Sequence, residues 1–134
     1  MEESTTDVPD TPLGRMYRAH MRHIAEKDID ALLDQYTDDA LIISSFEKRP
    51  LYYRGREGVR QHMEGVLSIE KMQSEVAFWA ETDNPETLMI VEAITTWGEA
   101  GESTMRFSDS WVLRDDRIAI HFAGMTQYPD GSVA

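Results

Sequence analysis

The first periodic stretch of the chain carries apolar residues at intervals of three and four positions. A helix presents such residues on one face, so the spacing predicts an amphipathic helix of about four turns. Asp10-Thr11-Pro12 is a helix-start signal, because proline is suited to the first helical turn. The apolar stripe that follows consists of Leu13, Met16, Tyr17, His20, Met21 and Ile24.

Two further helices are predicted downstream. Asp28 can cap a short second helix, and Asp38-Asp39 ends it. Residues 56–69 have the spacing of a third helix. The stripes of these two helices are Ile29, Leu32, Leu33 and Tyr36 in the second, and Val59, His62, Met63 and Val66 in the third.

The remaining segments are β-prone. A short strand is predicted over residues 40–46 and a loop over residues 47–55. Four longer strands follow over roughly 71–82, 87–97, 103–114 and 117–128, with turn residues between them. Consecutive strands joined by short turns pair antiparallel, so the order of elements predicts an α+β domain: one antiparallel sheet with helices on one face.

Size and charge limit the possible functions. The 134 residues fit one domain over residues 11–134, preceded by a mobile acidic tail at residues 1–10. The chain contains no cysteine, which excludes disulfides and thiolate chemistry. A formal charge of −12 disfavours nucleic acids and anionic membranes as partners. No membrane span or secretory signal is evident, so the expected location is the cytoplasm.

Three segments have sequences typical of one superfamily. EKDIDALLDQYTDDALI resembles its second helix and the acidic exit into the first strand, YYRGREGVRQHM resembles the start of its third helix, and FSDSWVLRDDRIAIHF resembles its last hairpin. With the order of elements, they resemble the cystatin-like α+β barrel of nuclear transport factor 2, ketosteroid isomerase and the SnoaL-like polyketide cyclases. The resemblance implies a cone-shaped, curved sheet on three helices, but this fold hosts enzymes, binding modules and assembly domains.

The resemblance transfers only part of a known active site. Asp109 lies at the position similar to the oxyanion-hole aspartate of ketosteroid isomerases, and His20 at that of their helical tyrosine. Ser44 lies where that family has its general-base aspartate. A serine alone cannot accept a carbon-bound proton near neutral pH, so steroid isomerisation by that mechanism is not expected. Limonene epoxide hydrolases place arginine and aspartate two apart, whereas Arg106 and Asp109 are three apart and face opposite ways.

Asp109 is the most informative residue of the sequence. It lies on the apolar side of a predicted strand, between Phe107 and Trp111. A buried carboxylate is costly unless a partner or a proton neutralises it. His20, on the helix that covers this face, is the partner we predict. Such a pair could transfer protons in a cyclisation, an enolisation or a dehydration, or it could simply satisfy itself in the core.

Other polar and aromatic residues are candidates for the wall of a pocket beside Asp109. No cofactor is expected, because the sequence lacks phosphate-loop and nucleotide-binding motifs. No metal is expected either, since His20, His62 and Asp109 have no tight ligand spacing. The candidates for ligand binding are Tyr17, Ser44, Phe46, Tyr53, His62 and Trp111, and the expected ligand is a small hydrophobic molecule.

The register of the last hairpin decides on which face of the sheet His121 lies. If Asp115-Asp116 is a two-residue turn, Asp109 pairs opposite Phe122 and His121 points away from the pocket. We therefore exclude His121 from the predicted site. The resemblance implies homodimers that pair through the outer sheet face, and the residues predicted there are Glu92, Ile94, Thr96, Val112 and His121.

Three functions remain open from the sequence. The chain could be a cofactor-free acid–base enzyme of the isomerase, cyclase or lyase type, a ligand-binding domain without turnover, or a dimerisation module with a filled core. The first two require a cavity of roughly a few hundred Å³ beside Asp109.

Overall fold

The computed structural model describes residues 7–46, 48–99 and 101–133. The first six residues of the predicted tail lie outside these ranges. The helices are α1 (Pro12–Ala25), α2 (Ile29–Asp34) and α3 (Gly55–Leu67), and the strands are β1 (Tyr36–Ser44), β2 (Leu51–Arg54), β3 (Lys71–Asp83), β4 (Glu86–Gly98), β5 (Gly101–Arg114) and β6 (Arg117–Gln127).

The six strands form one open sheet in the order β2-β1-β6-β5-β4-β3. Every neighbouring pair is antiparallel except β1 and β6, which run parallel. The α+β class predicted from the sequence is confirmed. Its sheet is larger than predicted, because β2 forms within the predicted loop: Tyr52 and Tyr53 pair with Ile43 and Ile42 of β1. Tyr36 is also not helical, because it begins β1 and pairs with Ile118.

Helix α1 covers the inner face of the sheet with its predicted stripe. Thr11 caps the helix by accepting a hydrogen bond from the Gly14 amide at 3.0 Å. The same hydroxyl donates to Glu81 on β3 at 2.6 Å, which joins the helix to the sheet. The carbonyl of Pro9 packs directly on Gly14, where a Cβ would lie 1.8 Å from its oxygen, so only glycine allows this approach. The largest fully buried side chains, which form the core between the layers, include Tyr36, Phe107, Leu32, Leu33 and Ile42.

The hairpin between β5 and β6 contains the feature that overturns the prediction for His121. Asp115 and Asp116 have positive φ angles of 53° and 62°, as a two-residue hairpin turn requires. The register then shifts by one residue between Val112 and Leu113. Such a bulge moves every later side chain to the opposite face. His121 is therefore only 4% exposed and inside, whereas Phe122 is 43% exposed on the outer face.

Strand β4 also differs from the predicted orientation. Glu92 and Ile94 were expected on the outer face, but both are buried on the inner face with Leu88 and Ile90. The register explains this, because Ile90 pairs with Asp109, and Glu92 lies two residues further along the same face. A carboxyl that was assigned to a solvent-facing surface is thus enclosed beside Asp109.

Candidate functional site

An apolar cavity lies between α1, α3 and the concave face of the sheet. Its volume is about 60 Å³, smaller than the few hundred Å³ expected from the sequence. Its apolar wall includes Met21, Met63, Met72 and Met105, whose unbranched side chains can adopt other rotamers. The polar groups of its lining are Tyr17, His20, His62, Glu92, Asp109 and His121.

A second cavity adjoins the first at the ends of α1 and α3. Its volume is about 150 Å³, and it shares Met21, Met72 and three aliphatic residues with the inner cavity. Lys27 lines this second cavity, and its ammonium donates to the carbonyls of Leu67 and Ile69 at 2.7 and 2.9 Å. The two shared methionines therefore line both spaces.

Asp109 is hydrogen-bonded to His121, not to His20 as predicted. Its Oδ1 lies 2.8 Å from His121 Nε2, and His121 Nδ1 lies 2.7 Å from the Tyr36 hydroxyl. Burial raises the pKa of Asp109 to about 7 and lowers the pKa of His121 to about 4. These shifts favour the uncharged form of the pair: the imidazole is neutral, and the carboxyl is protonated in about half of the molecules near pH 7.

Glu92 forms a second polar cluster on the neighbouring strand. Its Oε2 accepts hydrogen bonds from the Tyr17 hydroxyl at 2.6 Å and from Ser74 at 2.7 Å. Burial, followed by the proximity of Asp109, raises the pKa of Glu92 to about 7. The Glu92 and Asp109 carboxyls are close enough to hydrogen-bond when one of them is protonated. The two carboxyls therefore form a pair that can share a proton.

His20 is held by Gln35, the residue that ends α2. The Gln35 amide nitrogen donates to the Met16 carbonyl at 3.1 Å, and its oxygen lies 2.9 Å from His20 Nδ1. Burial lowers the pKa of His20 to about 3, so the ring is neutral near pH 7. Its ring centroid lies 5.1 Å from that of Trp111 and 6.3 Å from that of His121. His20 and Asp109 thus face one cavity, although each is bound to a different partner.

His62 completes the wall on the side of α3. Its ring stacks on Phe46 at a centroid distance of 5.8 Å and meets Tyr53 edge-on at 5.3 Å. Burial lowers the pKa of His62 to about 3. Its contacts among the described residues are packing contacts, so its ring serves as an aromatic wall whose nitrogens remain available.

The predicted pocket residues divide into two groups. Tyr17, Phe46, His62 and Trp111 line the cavity together with His20 and Asp109. Ser44 and Tyr53 are absent from its lining: Ser44 is buried in β1, and Tyr53 stands behind His62. Glu92 and His121 were missed. The lone acidic residue within the apolar run of β4 was a signal for Glu92, whereas no proline or glycine marks the bulge that turns His121 inward.

The cavity histidines do not converge as metal ligands do. Within residues 7–46, 48–99 and 101–133, the group with ligand atoms within 4.8 Å of one another is His23, Glu26 and Asp28. These three residues lie at the surface end of α1, outside the cavity lining. His20, His62 and Asp109 do not form such a group.

The sequence matches a family model, and the fold matches solved structures. A model of the SnoaL-like domain matches residues 17–121, which is most of the chain. The chain belongs to the SnoaL-like family. The sequence has no significant match among curated proteins. In the described ranges of this SnoaL-like chain, no helix has both the length and the hydropathy of a membrane span.

Several solved structures have the same fold at low sequence identity. The epoxide hydrolase/cyclase-like enzyme SalBIII, which acts in pyran ring formation in the polyether salinomycin, superposes with a TM-score of 0.70 at 15% identity over 83% of this chain and 88% of its own. Rv0760c of Mycobacterium tuberculosis, solved with estradiol-17beta-hemisuccinate, gives 0.70 at 14% identity over 85% and 93%. AusH of Aspergillus nidulans gives 0.72 at 12% identity over 93% and 94%. At these identities the similarity concerns the fold alone.

Proposed function

We propose that this SnoaL-like protein binds a small, neutral organic molecule in the cavity and catalyses a proton transfer on it without a cofactor. The observation that carries this proposal is the convergence of the Asp109–His121 pair and the Glu92 carboxyl on one largely apolar cavity. Enclosed carboxyls with a pKa near 7 exchange protons readily at neutral pH.

The charge of the lining limits the class of ligand. The cavity is lined by two carboxyl groups and three neutral imidazoles, and its lining contains no lysine or arginine. An anionic ligand would therefore meet no counter-ion in the lining, so nothing would offset the cost of removing a carboxylate or phosphate from water. A neutral carbonyl compound is the better fit, because its oxygen can accept a hydrogen bond from a protonated carboxyl. The ring-forming role of SalBIII agrees with an organic ligand in this fold.

The size of the cavity sets a second requirement. A volume of about 60 Å³ holds a small ring only after the methionine side chains have moved. We therefore expect the protein to accept cyclopentanone or cyclohexanone most readily, and larger ketones after the inner and outer cavities have joined.

Deuterium exchange tests the proposal without knowledge of the natural substrate. The loss of α-protons from cyclopentanone and cyclohexanone in D₂O is followed by proton NMR with and without the protein. We expect the wild-type protein to accelerate exchange, and both Asp109→Asn and His121→Gln to slow it by about 10²-fold or more. Asp116→Asn, the same change at an exposed carboxylate outside the cavity lining, serves as the control and is expected to keep the wild-type rate.

The outcome separates the enzyme from a ligand-binding domain of the same fold. Shifts of the Trp111 indole resonance on adding ketone, without exchange, would support binding without turnover. The absence of both binding and exchange would contradict the proposal. A folded Asp109→Asn variant with wild-type exchange would show that the pair has no part in the chemistry.

A further inference from the structure

The hydrogen bonds of Gln35 determine which nitrogen of His20 carries the proton. The Met16 carbonyl can only accept, so the group that Gln35 presents to it must be the amide nitrogen. The amide oxygen therefore faces His20 Nδ1 at 2.9 Å and can only accept as well. For a neutral imidazole, this leaves the proton on Nδ1 and a lone pair on Nε2.

The His20 Nε2 atom is open to the cavity. It has no hydrogen-bond partner among the described residues, and His20 belongs to the cavity lining. Among the described residues, the side-chain atom that is both fully buried and without a hydrogen-bond partner is His23 Nδ1. His20 Nε2 also lacks a partner, so it must retain some accessible surface. A buried acceptor without a partner is costly unless a ligand or water satisfies it.

We propose that His20 Nε2 is the proton acceptor of the site and that Gln35 is the positioning residue that keeps it unprotonated. This inference rests on the proposed function and gives it a direction. The acceptor lies on α1, and the donors, the carboxyls of Glu92 and Asp109, lie on the sheet opposite. The matching substrate class is a neutral ketone with an α-hydrogen, bound with its α-carbon towards α1 and its oxygen towards the sheet.

The step balances without another reactant. The α-C–H bond breaks, its proton goes to His20 Nε2, and its electron pair becomes the C=C bond of the enol. The carbonyl oxygen takes a proton from the carboxyl pair, and the carbonyl π electrons form the new O–H bond. The reverse step, with a deuteron on Nε2, returns the ketone with deuterium at the α-carbon.

Nitrogen-15 NMR of the histidine side chains in the full-length protein tests the tautomer directly. His20→Asn assigns the His20 signals by their disappearance. We expect an unprotonated Nε2 in the wild-type protein near pH 7. Gln35→Leu removes the acceptor for Nδ1–H and should move proton occupancy to Nε2. Cyclopentanone exchange should then fall by about tenfold or more in this variant.

Gln35→Glu is the conservative variant that separates positioning from packing. A carboxylate loses the hydrogen bond to the Met16 carbonyl but still accepts from Nδ1–H, so the tautomer and the exchange should be retained. The titratable groups facing His20 are His121 from β6, Tyr36 from β1, His62 from α3 and His23 on α1 itself. The carboxyls of Asp109 on β5 and Glu92 on β4 line the same cavity. Gln35→Glu leaves these groups unchanged and adds one negative charge beside His20. This charge stabilises the imidazolium, so the fall of the ketone exchange rate at low pH should begin at a higher pH than in wild type.

Each outcome bears on the inference separately from the proposed function. A wild-type His20 protonated on Nε2 would overturn the inference even if exchange is rapid. If Gln35→Leu exchanged ketone at the wild-type rate although its tautomer had changed, the inference would also fail. It would fail as well if Gln35→Leu and Gln35→Glu lost the same fraction of the exchange rate. If the wild-type protein exchanges no ketone, the proposed function fails. The NMR result still decides the positioning by Gln35: an unprotonated Nε2 supports it, and a protonated Nε2 contradicts it.

Discussion

At the scale of single residues, His62 shows how burial links the cavity to pH. Folding lowers its pKa from 6.5 to about 3, so the folded state binds fewer protons than the unfolded state between these values. Above pH 6.5, the titration of His62 therefore does not reduce the unfolding free energy. As the pH falls from 6.5 towards 3, protonation of His62 in the unfolded state lowers the unfolding free energy progressively. At about pH 5 this amounts to about 2 kcal/mol of unfolding free energy.

His62→Phe should remove this liability while keeping the ring between Phe46 and Tyr53. The variant should therefore gain stability over wild type at low pH. We expect its unfolding free energy minus that of wild type to be about 2 kcal/mol larger at about pH 5 than at about pH 8. Urea denaturation at the two pH values measures the difference. His62→Leu removes the same titrating group without the ring stacking, so it should show the same pH dependence at lower stability. A pH-independent difference in both variants would contradict the assigned burial of a neutral histidine.

The sequence predicted some of these residues for physical reasons and missed others for reasons just as clear. Asp109 stood out because apolar residues flank it on one face of a strand. Glu92 did not, because both faces of β4 are apolar: Leu88 and Ile90 lie inside, while Met89 and Val91 lie outside. Alternation alone cannot orient such a strand, and only its pairing with β5 does so.

At the scale of elements, the first turn of α1 is fixed by one side chain. The Thr11 hydroxyl accepts from the Gly14 amide and donates to Glu81, which also accepts from the Trp79 indole at 2.8 Å. Thr11→Ala removes the helix cap and one partner of the Glu81 carboxylate. We expect it to lower the unfolding free energy by about 1–2 kcal/mol.

Thr11→Ser is the matched control for this prediction, because it keeps the hydroxyl and loses only the methyl group. Its unfolding free energy should stay within about 0.5 kcal/mol of wild type in urea denaturation. If the serine variant were as unstable as the alanine variant, the methyl packing and not the cap would hold the helix.

The predicted elements were more reliable than their registers. The helix starts and hairpin turns follow from local chemistry, such as Pro12 at a first turn and Asp115-Asp116 between strands. The shift near Val112 is different, because the extra residue on β6 is accommodated by long-range packing and has no proline or glycine to mark it. This one residue moved His121 from the predicted surface into the cavity.

At the scale of the whole molecule, the outer sheet face carries a row of exposed and half-buried side chains across β2, β1, β6, β5 and β4. Tyr52 pairs with Ile43, Ile43 with Phe122, Phe122 with Ser110, and Ser110 with Met89. Tyr52, Met89 and Phe122 are each more than 40% exposed, and Ile120 and Phe78 extend the same face. A surface with several large exposed apolar side chains is typical of an interface. We propose that two copies pair through it.

The net charge makes this dimer sensitive to salt. Each copy carries a formal charge of −12, so two copies repel while their apolar faces attract. Because screening weakens only the repulsion, the dimer dissociation constant should fall roughly tenfold between about 0.05 M and about 0.5 M sodium chloride in sedimentation equilibrium.

Phe122→Glu should give a monomer at both salt concentrations, because it places a charge in the centre of the row. Val133→Glu adds the same charge at an exposed apolar residue outside the row and should leave the dimer intact. A monomeric wild-type protein at high salt would contradict the proposed pairing. A Phe122→Glu variant that remains dimeric would instead move the interface to another surface, and the exposed row would then need a different partner.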